Sequence, residues 1–171
     1  MARLIVTADV HGSYSTWSTI KNLMEPDDTL AVAGDLFSTG YPFYGSPDFQ
    51  PDVIKKELAH FDHPFYYVYG NCDKASFSPG YMESILFDYM GYSIYLHHGH
   101  RPLKGVPFNS GIVIQGHTHV SGIKTLDGII FLNPGSLAAP RDGLYTYAVM
   151  DGSEIAIVNI KTGETTVSLM L

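Results

Sequence analysis

The sequence predicts an α/β fold in which two β-sheets pack face to face, with helices on the outside. In the first half of the chain, short apolar runs alternate with helical patterns, which is typical of βαβ units and a parallel sheet. In the second half, β-rich runs follow one another across turn signals such as Asp-Gly, which favours mostly antiparallel strands. No linker or change in composition separates the halves, so residues 1–171 are predicted to form one domain.

Apolar runs that stop at a polar residue mark the strands of the first half. These runs occupy residues 4–8, 29–35 and 64–71. Residues 36–50 are rich in Gly, Pro, Tyr and Phe, which predicts a long loop over the strand ends. Three aromatic residues of this loop either line a substrate cleft or anchor the loop itself, namely Tyr41, Phe43 and Tyr44.

Two helices are predicted between these strands. The first spans roughly residues 13–24, because Trp17 and Ile20 recur at helical spacing and Ser13 can cap the first turn. The second spans residues 51–61, begins at a proline and carries its apolar residues on one face. Each helix therefore connects two neighbouring parallel strands.

The second half predicts two hairpins and a run of further strands. The hairpins are "SILFDY-MG-YSIYLHHGH" and "SGIKTL-DG-IIFLNPGS", and the buried strand "GIVIQGHTH" lies between them. The final segment, "LYTYAVM-DG-SEIAIVNI-KTG-ETTVSLML", alternates strands with turn glycines. We therefore expect a second sheet that packs against the first.

Composition excludes several classes of protein. The chain has 171 residues, 45% of them hydrophobic and 16% charged, as in an ordinary globular protein. Its apolar runs are too short to cross a bilayer, and its start lacks the pattern of a secretion signal. A single cysteine forms no disulfide within the chain, so the cytoplasm is the expected location. The net charge of -7 argues against a broad nucleic-acid surface, but bound metals would still permit an anionic substrate.

Metal-capable side chains follow the apolar strands at the point where each strand ends. In open α/β sheets, ligands bind beyond the carboxyl ends of the strands. A single Asp-x-His pair is equally consistent with a turn acid and a surface histidine, and Gly-Asp with a helix cap. The joint occurrence at five strand ends is what favours a metal site. The residues are Asp9, His11, Asp35, Asn71, His98, His117 and His119.

The types of these side chains indicate which ions they suit. A mixed set of imidazole and oxygen donors suits Mn, Fe, Co, Ni or Zn. Seven donors exceed the needs of one ion but suffice for two if one carboxylate bridges them. Two ions about 3.5–4 Å apart can hold a bridging hydroxide and clamp a phosphoryl group. With two divalent ions, two aspartates and a hydroxide, the centre keeps a net charge of +1, which attracts phosphate.

The motifs "DVHG", "GD", "GNCD", "HGH" and "GHTH" resemble those of the calcineurin-like metallophosphoesterases, particularly their small YfcE-type phosphodiesterases. The resemblance runs from Ile5 to the "NPGS" at 133–136. It implies a four-layer α/β/β/α sandwich of two facing mixed sheets, the metallo-dependent phosphatase fold, with a dinuclear centre. Mn is the expected ion, with Ni, Co, Fe or Zn as alternatives. The implied ligands are Asp9, His11 and His119 for one metal, Asn71, His98 and His117 for the other, and Asp35 as the bridge.

The resemblance has one departure, at Cys72. Larger members of the superfamily carry a histidine there, which is thought to assist the leaving group, whereas the YfcE-type branch shares the cysteine. A tyrosine-phosphatase-like thiol nucleophile would require an arginine at position 78, which is Ser78. The ligand set is complete without a thiolate, so Cys72 is predicted to line the pocket or to act as a weak proton donor. Asp73 is predicted to orient a ligand or to cap a turn.

Other side chains near the motifs have predicted roles of their own. His97 should point to the opposite face of its strand from His98, as a packed and hydrogen-bonded histidine. His100 faces either the pocket or solvent. Arg141 either reaches the phosphate or pairs with Asp142. The candidate substrate contacts are Cys72, His100 and Arg141, and the candidate catalytic residues are His100, Asn71 and Asp35.

These residues predict a metal-dependent phosphoesterase that acts on diesters rather than monoesters. The bridging hydroxide attacks phosphorus, and His100 or water assists departure of the alcohol. One rival is a scaffold for protein interaction, as in the related retromer subunit, although such scaffolds usually lack ligands that are present here. A second rival is a hydrolase with a single zinc ion. The expected partner is a small-molecule phosphodiester, no membrane is involved, and exposed β edges permit a homodimer.

Overall fold

The computed structural model describes residues 2–37 and 45–171. The prediction that Tyr41, Phe43 and Tyr44 line a cleft or anchor their loop concerns residues outside these ranges. Within the described ranges the elements follow in the order β1 (Leu4–Thr7), α1 (Tyr14–Leu23), β2 (Thr29–Val32), α2 (Pro51–Leu58), β3 (Phe65–Tyr67), β4 (Ser84–Tyr89), β5 (Tyr92–His97), β6 (Gly111–Ile114), β7 (Gly122–Leu126), β8 (Ile129–Asn133), β9 (Thr146–Met150), β10 (Glu154–Asn159) and β11 (Thr165–Met170).

The first sheet is mixed and has six strands in the order β11-β10-β9-β1-β2-β3. Strand β1 pairs in parallel with β2, and β2 pairs in parallel with β3, as the predicted βαβ units require. On its other side β1 pairs antiparallel with β9, with Leu4 opposite Met150. The C-terminal strands therefore complete the first sheet, so the two halves of the chain share one sheet.

The second sheet has five strands in the order β4-β5-β6-β8-β7. Both predicted hairpins are confirmed, since β4 pairs antiparallel with β5 and β7 with β8. The centre of the sheet differs from the expected pattern, because β5–β6 and β6–β8 are parallel pairs. The connection over residues 98–110 returns the chain to the same end of the sheet before β6 begins. Turn signals predict hairpins, but they do not predict which strands become neighbours across a longer connection.

The alternation of side chains along β1 shows how the layers pack. Leu4 and Val6 join an apolar cluster with residues of the second sheet, such as Ile94 and Ile112. Ile5 points the other way and packs with Trp17 of α1 and other residues of the helical side. Burying an aliphatic side chain of this kind contributes about 1.5–3 kcal/mol, so the two clusters hold the sheets and helices together. The two facing mixed sheets of the predicted fold class are confirmed.

The helices cover the outer face of the first sheet. The predicted cap of α1 is confirmed, because the Ser13 side chain accepts a hydrogen bond from the Thr16 amide. On the outer face of the second sheet, the described residues include no helix. The connection over residues 98–110 crosses there, and its prolines and Gly105 disfavour helix formation. Of the helices in the described ranges, neither is long and apolar enough to cross a membrane.

Candidate metal centre

The predicted metal-capable side chains converge where the two sheets meet. Each follows the carboxyl end of a strand: β1, β2 and β3 in the first sheet, and β5 and β6 in the second. Because the sheets face each other, these ends lie close together although they belong to distant parts of the chain. The two carboxylates of the centre are buried, with Asp9 0% and Asp35 2% exposed, whereas Asn71 is exposed and His117 half-buried.

One group within this centre consists of Asp9, His11 and His119, whose donor atoms lie within 4.8 Å of one another. The Nε2 atoms of the two histidines are 3.2 Å apart. The Oδ1 atom of Asp9 lies 3.3 Å from Nε2 of His119. These are the three residues implied for the first metal.

A second group surrounds His98. Its Nε2 atom lies 3.1 Å from Oδ1 of Asn71 and 3.4 Å from Oδ2 of Asp35. The ring of His117 stands beside it at a centroid distance of 5.1 Å. Donor atoms of Asp9, Asp35 and His98 also lie within 4.8 Å of one another, so both carboxylates lie between the two sets of histidines. The same holds for donor atoms of His11, Asp35 and Cys72.

The donor chemistry fits divalent cations. Carbonyl oxygens accept only, so Nδ1 of His98 donates to Ala33 at 2.7 Å and Nδ1 of His119 donates to Ala139 at 2.6 Å. In the neutral rings the lone pairs of Nε2 then point into the centre. There they meet Oδ1 of Asp9, which is buried and makes no hydrogen bond of good geometry within residues 2–37 and 45–171. Converging lone pairs repel one another unless a cation or a proton lies between them.

The backbone of the centre adopts an uncommon conformation. Five of the predicted ligands have positive φ angles between 51° and 67°, namely Asp9, His11, Asp35, His117 and His119. Residues other than glycine rarely adopt this left-handed conformation, and those that do cluster at functional sites. The first two are held by the chain after β2, since the amides of Asp9 and His11 donate to the carbonyls of Gly34 and Asp35 at 3.1 and 2.8 Å.

Three glycines lie so close to the predicted ligands that a side chain would clash with them, and the sequence alone did not identify these glycines. A Cβ atom at Gly70 would lie 2.0 Å from Oδ1 of Asp35, and one at Gly34 would lie 2.4 Å from Nδ1 of His98. A Cβ atom at Gly116 would lie 2.9 Å from Oδ2 of Asp9. Each glycine directly precedes a predicted ligand in the sequence, which is the signal that could have identified them.

The segment at residues 133–136 supports the centre from below. The Ser136 hydroxyl donates to the Asp9 carbonyl at 2.9 Å and accepts from the amide of Ala139, whose carbonyl holds His119. The Asn133 side chain donates to the Gly116 carbonyl at 2.9 Å. Ser136 and Asn133 therefore position predicted ligands without belonging to the donor groups.

Electrostatics within the centre shift several pKa values. Burial raises the pKa of Asp35, but hydrogen bonds from His98 and from the Cys72 amide outweigh it and lower the pKa to about 2. Burial opposes the charged form of His98 and His119, yet the neighbouring carboxylates of Asp35 and Asp9 raise both pKa values. For His11 burial dominates and lowers the pKa. Without metal, the carboxylates thus favour the protonated form of these two histidines.

We expect the metal-free protein to lose stability as the pH falls from about 4 to about 2. The pKa of Asp35 is about 2 in the folded state against 3.8 ordinarily, so its contribution to the free energy of unfolding is present above pH 3.8 and disappears as the pH falls through 2. Asp35→Asn lacks this titration and should lose less stability over the window. Urea unfolding in the presence of a chelator gives the free energy of unfolding of the unchanged protein and of Asp35→Asn at each pH. If this free energy falls equally with pH in both proteins, Asp35 is not the group responsible.

Cys72 lies at the edge of the centre and supports Asp35 through its backbone. Its amide donates to Oδ1 of Asp35 at 2.8 Å, and its sulfur lies 3.3 Å from Nδ2 of Asn71. Burial and the neighbouring Asp35 carboxylate raise the pKa of the thiol to about 12. The neighbouring Asp73 caps this loop, because its carboxylate accepts from the amides of Gly70 and Phe37, each at 3.0 Å.

We expect Cys72→Ser to keep its metals and to retain activity within about tenfold of the unchanged protein. A thiol with a pKa of about 12 carries almost no thiolate at neutral pH, and the contact with Asp35 comes from the backbone amide. Elemental analysis and steady-state kinetics check the variant. Complete loss of turnover with metals still bound would show that the sulfur itself takes part in the reaction.

The remaining predicted residues are placed as follows. The ring of His100 lies 5.4 Å from that of His98, at the edge of the centre. Arg141 is exposed, and within the described residues no carboxylate lies within 4.0 Å of its guanidinium, so the alternative of an ion pair with Asp142 is not seen. His97 occupies the opposite face from the core as expected, but its Nε2 atom has no hydrogen-bond partner in the described ranges.

The sequence matches known proteins along most of its length. Residues 2–154 match the family model of the calcineurin-like phosphoesterase superfamily domain. Phosphodiesterase YfcE of Escherichia coli is 24% identical over an alignment of 173 residues that covers 92% of each chain. A probable metallophosphoesterase of Mycoplasma pneumoniae is 26% identical over 155 residues, or 83% of each chain.

Solved structures share the fold. The structure of Yfce, a phosphoesterase from E. coli, matches with a TM-score of 0.84 at 21% identity and covers 98% of both chains. Vps29 of Entamoeba histolytica, complexed with Zn²⁺, matches with a TM-score of 0.63 at 19% identity and covers 98% of both chains. At these identities the likeness establishes the architecture, and the chemistry depends on the residues of this chain.

Proposed function

The chain belongs to the calcineurin-like phosphoesterase superfamily, and from that premise we propose that it is a phosphodiesterase that uses two divalent ions. The observation that carries the proposal is the convergence of three histidine Nε2 atoms on the buried Oδ1 atom of Asp9, which has no hydrogen-bond partner in the described residues. A structural ion would need only one closed set of ligands, whereas two sets meet here around shared carboxylates.

The two ions would be held by the residues that the motifs identified. Asp9, His11 and His119 would bind one, Asn71, His98 and His117 the other, and Asp35 would bridge them, with Mn as the expected ion and Ni, Co, Fe or Zn as alternatives. When bound, such ions supply a bridging hydroxide as nucleophile and the positive charge that stabilises a phosphoryl transition state.

The protein's own groups prepare this reaction. The carbonyls of Ala33 and Ala139 fix the orientation of His98 and His119, and thus the direction of their Nε2 atoms. His100 stands beside His98 and His117 and is proposed to assist departure of the alcohol. Cys72 and the exposed Arg141 are proposed to contact the substrate from the rim.

Hydrolysis of bis-p-nitrophenyl phosphate with added Mn tests the proposal. We expect turnover with Mn and weaker turnover with at least some of Ni, Co, Fe and Zn. Elemental analysis of the active protein should give two ions per chain, and a value of one would favour the single-zinc hydrolase. A folded sample that shows no turnover with any of these ions would contradict the proposal and favour the protein-interaction scaffold.

The setting of this activity is also proposed. We propose that residues 1–171 act as one phosphoesterase domain on a small-molecule phosphodiester in the cytoplasm. The net charge of -7 supports this choice of substrate over a nucleic-acid polymer. Exposed edge strands support a homodimer, which size-exclusion chromatography with light scattering would detect.

A further inference from the structure

A cavity lies beside the candidate metal centre, on the outer side of the five-stranded sheet. It has a volume of about 350 Å³, within the range of small-molecule sites. Ser84, Tyr95 and His97 form part of its wall. Ser84 is paired with His97 in register across β4 and β5, so the two side chains lie next to each other on one face of the sheet.

The wall of this cavity carries polar atoms that lack partners. His97 is only 8% exposed, and its Nε2 atom has no hydrogen-bond partner within residues 2–37 and 45–171. The same holds for the buried Nδ1 atom of His100, which also lines the cavity. Burying such atoms without partners is unfavourable, so a ligand that enters the cavity gains free energy when it completes their hydrogen bonds.

The position of His100 connects the cavity to the metal centre. Its ring lies 5.4 Å from the ring of His98 and 6.3 Å from that of His117. His98 itself lines both spaces. A phosphate ester held at the metal centre therefore has this cavity within reach of one of its ester substituents.

We propose that the cavity binds an ester substituent that carries hydroxyl groups, and that His97 and Ser84 recognise those hydroxyls. The inference rests on the proposed function, because it names the class of substrate for the same centre. A hydrocarbon substituent would leave His97 and His100 unsatisfied, whereas hydroxyls supply both donors and acceptors. Sites built around hydrogen-bonding groups discriminate strongly against analogues that lack the partner.

Calorimetric binding of three phosphate monoesters to the Mn-loaded protein tests the inference. Propyl phosphate carries no hydroxyl on its substituent, glycerol 3-phosphate carries two, and thymidine 5′-monophosphate presents a hydroxylated sugar. We expect the hydroxylated esters to bind at least about tenfold tighter than propyl phosphate. Whichever of the two hydroxylated esters binds more tightly shows whether the cavity prefers a glycerol or a nucleoside substituent.

His97→Phe keeps an aromatic ring but removes the polar atoms, so the preference for hydroxylated esters should fall to about one. Ser84→Ala should reduce it in part, and it serves as the second test if His97→Phe does not fold. Lys124→Ala is the matched control, because Lys124 is exposed on β7 outside this cavity and should keep the preference. The metal content of each variant is measured, since His97 adjoins His98.

The outcomes separate this inference from the proposed function. Equal binding of all three esters by the unchanged protein would overturn the inference even if bis-p-nitrophenyl phosphate is hydrolysed. A preference that persists in both His97→Phe and Ser84→Ala would also overturn it. A preference that depends on His97 in a protein without turnover would support the cavity and contradict the catalytic proposal.

Discussion

Replacement of Asp9 by asparagine is expected to remove bound metal and to lower kcat/KM about 1000-fold. Even residues that only orient a metal ligand typically cost 10- to about 100-fold when they are replaced, and a buried ligand shared between two groups should cost more. The Oδ1 atom of Asp9 lies 3.3, 3.9 and 4.0 Å from the Nε2 atoms of His119, His11 and His98. An amide keeps the volume of this side chain but loses the charge that the cations require.

The same substitution should leave the fold intact. Oδ2 of Asp9 accepts from the His117 amide at 2.9 Å, and the oxygen of asparagine can take over that bond. Asp88→Asn is the matched control, because Asp88 is exposed and its carboxylate contacts only the Ser93 hydroxyl among the contacts that the structure shows. Elemental analysis and hydrolysis of bis-p-nitrophenyl phosphate compare the two variants. If Asp9→Asn retains both ions and full turnover, Asp9 is not a metal ligand.

Replacement of Gly70 by alanine is the second change with a large expected effect. The added Cβ atom would lie 2.0 Å from Oδ1, 2.5 Å from Cγ and 2.6 Å from the backbone nitrogen of Asp35. A backbone nitrogen cannot move aside as a flexible side chain can, so Asp35 or the loop of Asn71 must shift. Overpacking of this kind costs about 1–3 kcal/mol, which lowers the Tm of a chain of this size by about 2–12 °C.

The shift should also remove the second ion and lower kcat/KM about 100-fold, since Asn71 and Asp35 lie on either side of the clash. Gly122→Ala is the control, because a Cβ atom at Gly122 has no atom within 4 Å among the described residues and its φ is not in the left-handed region. Thermal unfolding of the metal-free variants gives the change in Tm, and elemental analysis gives the metal content. An unchanged Tm and two bound ions in Gly70→Ala would contradict the close approach described for this loop.

The sequence alone determined the strands, the hairpins and the positions of the metal-capable side chains. A strand shows itself through local apolar patterning, and its end through the first polar residue, so Asp9, Asp35 and Asn71 could be placed at strand ends without a structure. The cap at Ser13 is an equally local feature. The motifs around these residues also identified the metallophosphoesterase family.

The tertiary structure decided how these segments meet. His11 and His119 are 108 residues apart in the chain, yet their Nε2 atoms are 3.2 Å apart. Only the packed sheets show that Asp9 contacts both groups of histidines, that β6 pairs in parallel with β5 and β8, and that Nε2 of His97 lacks a partner in the described ranges. The physical reason is that periodicity records which side of an element is buried, whereas the close approach of Gly70 to Asp35 depends on contacts between elements far apart in the chain.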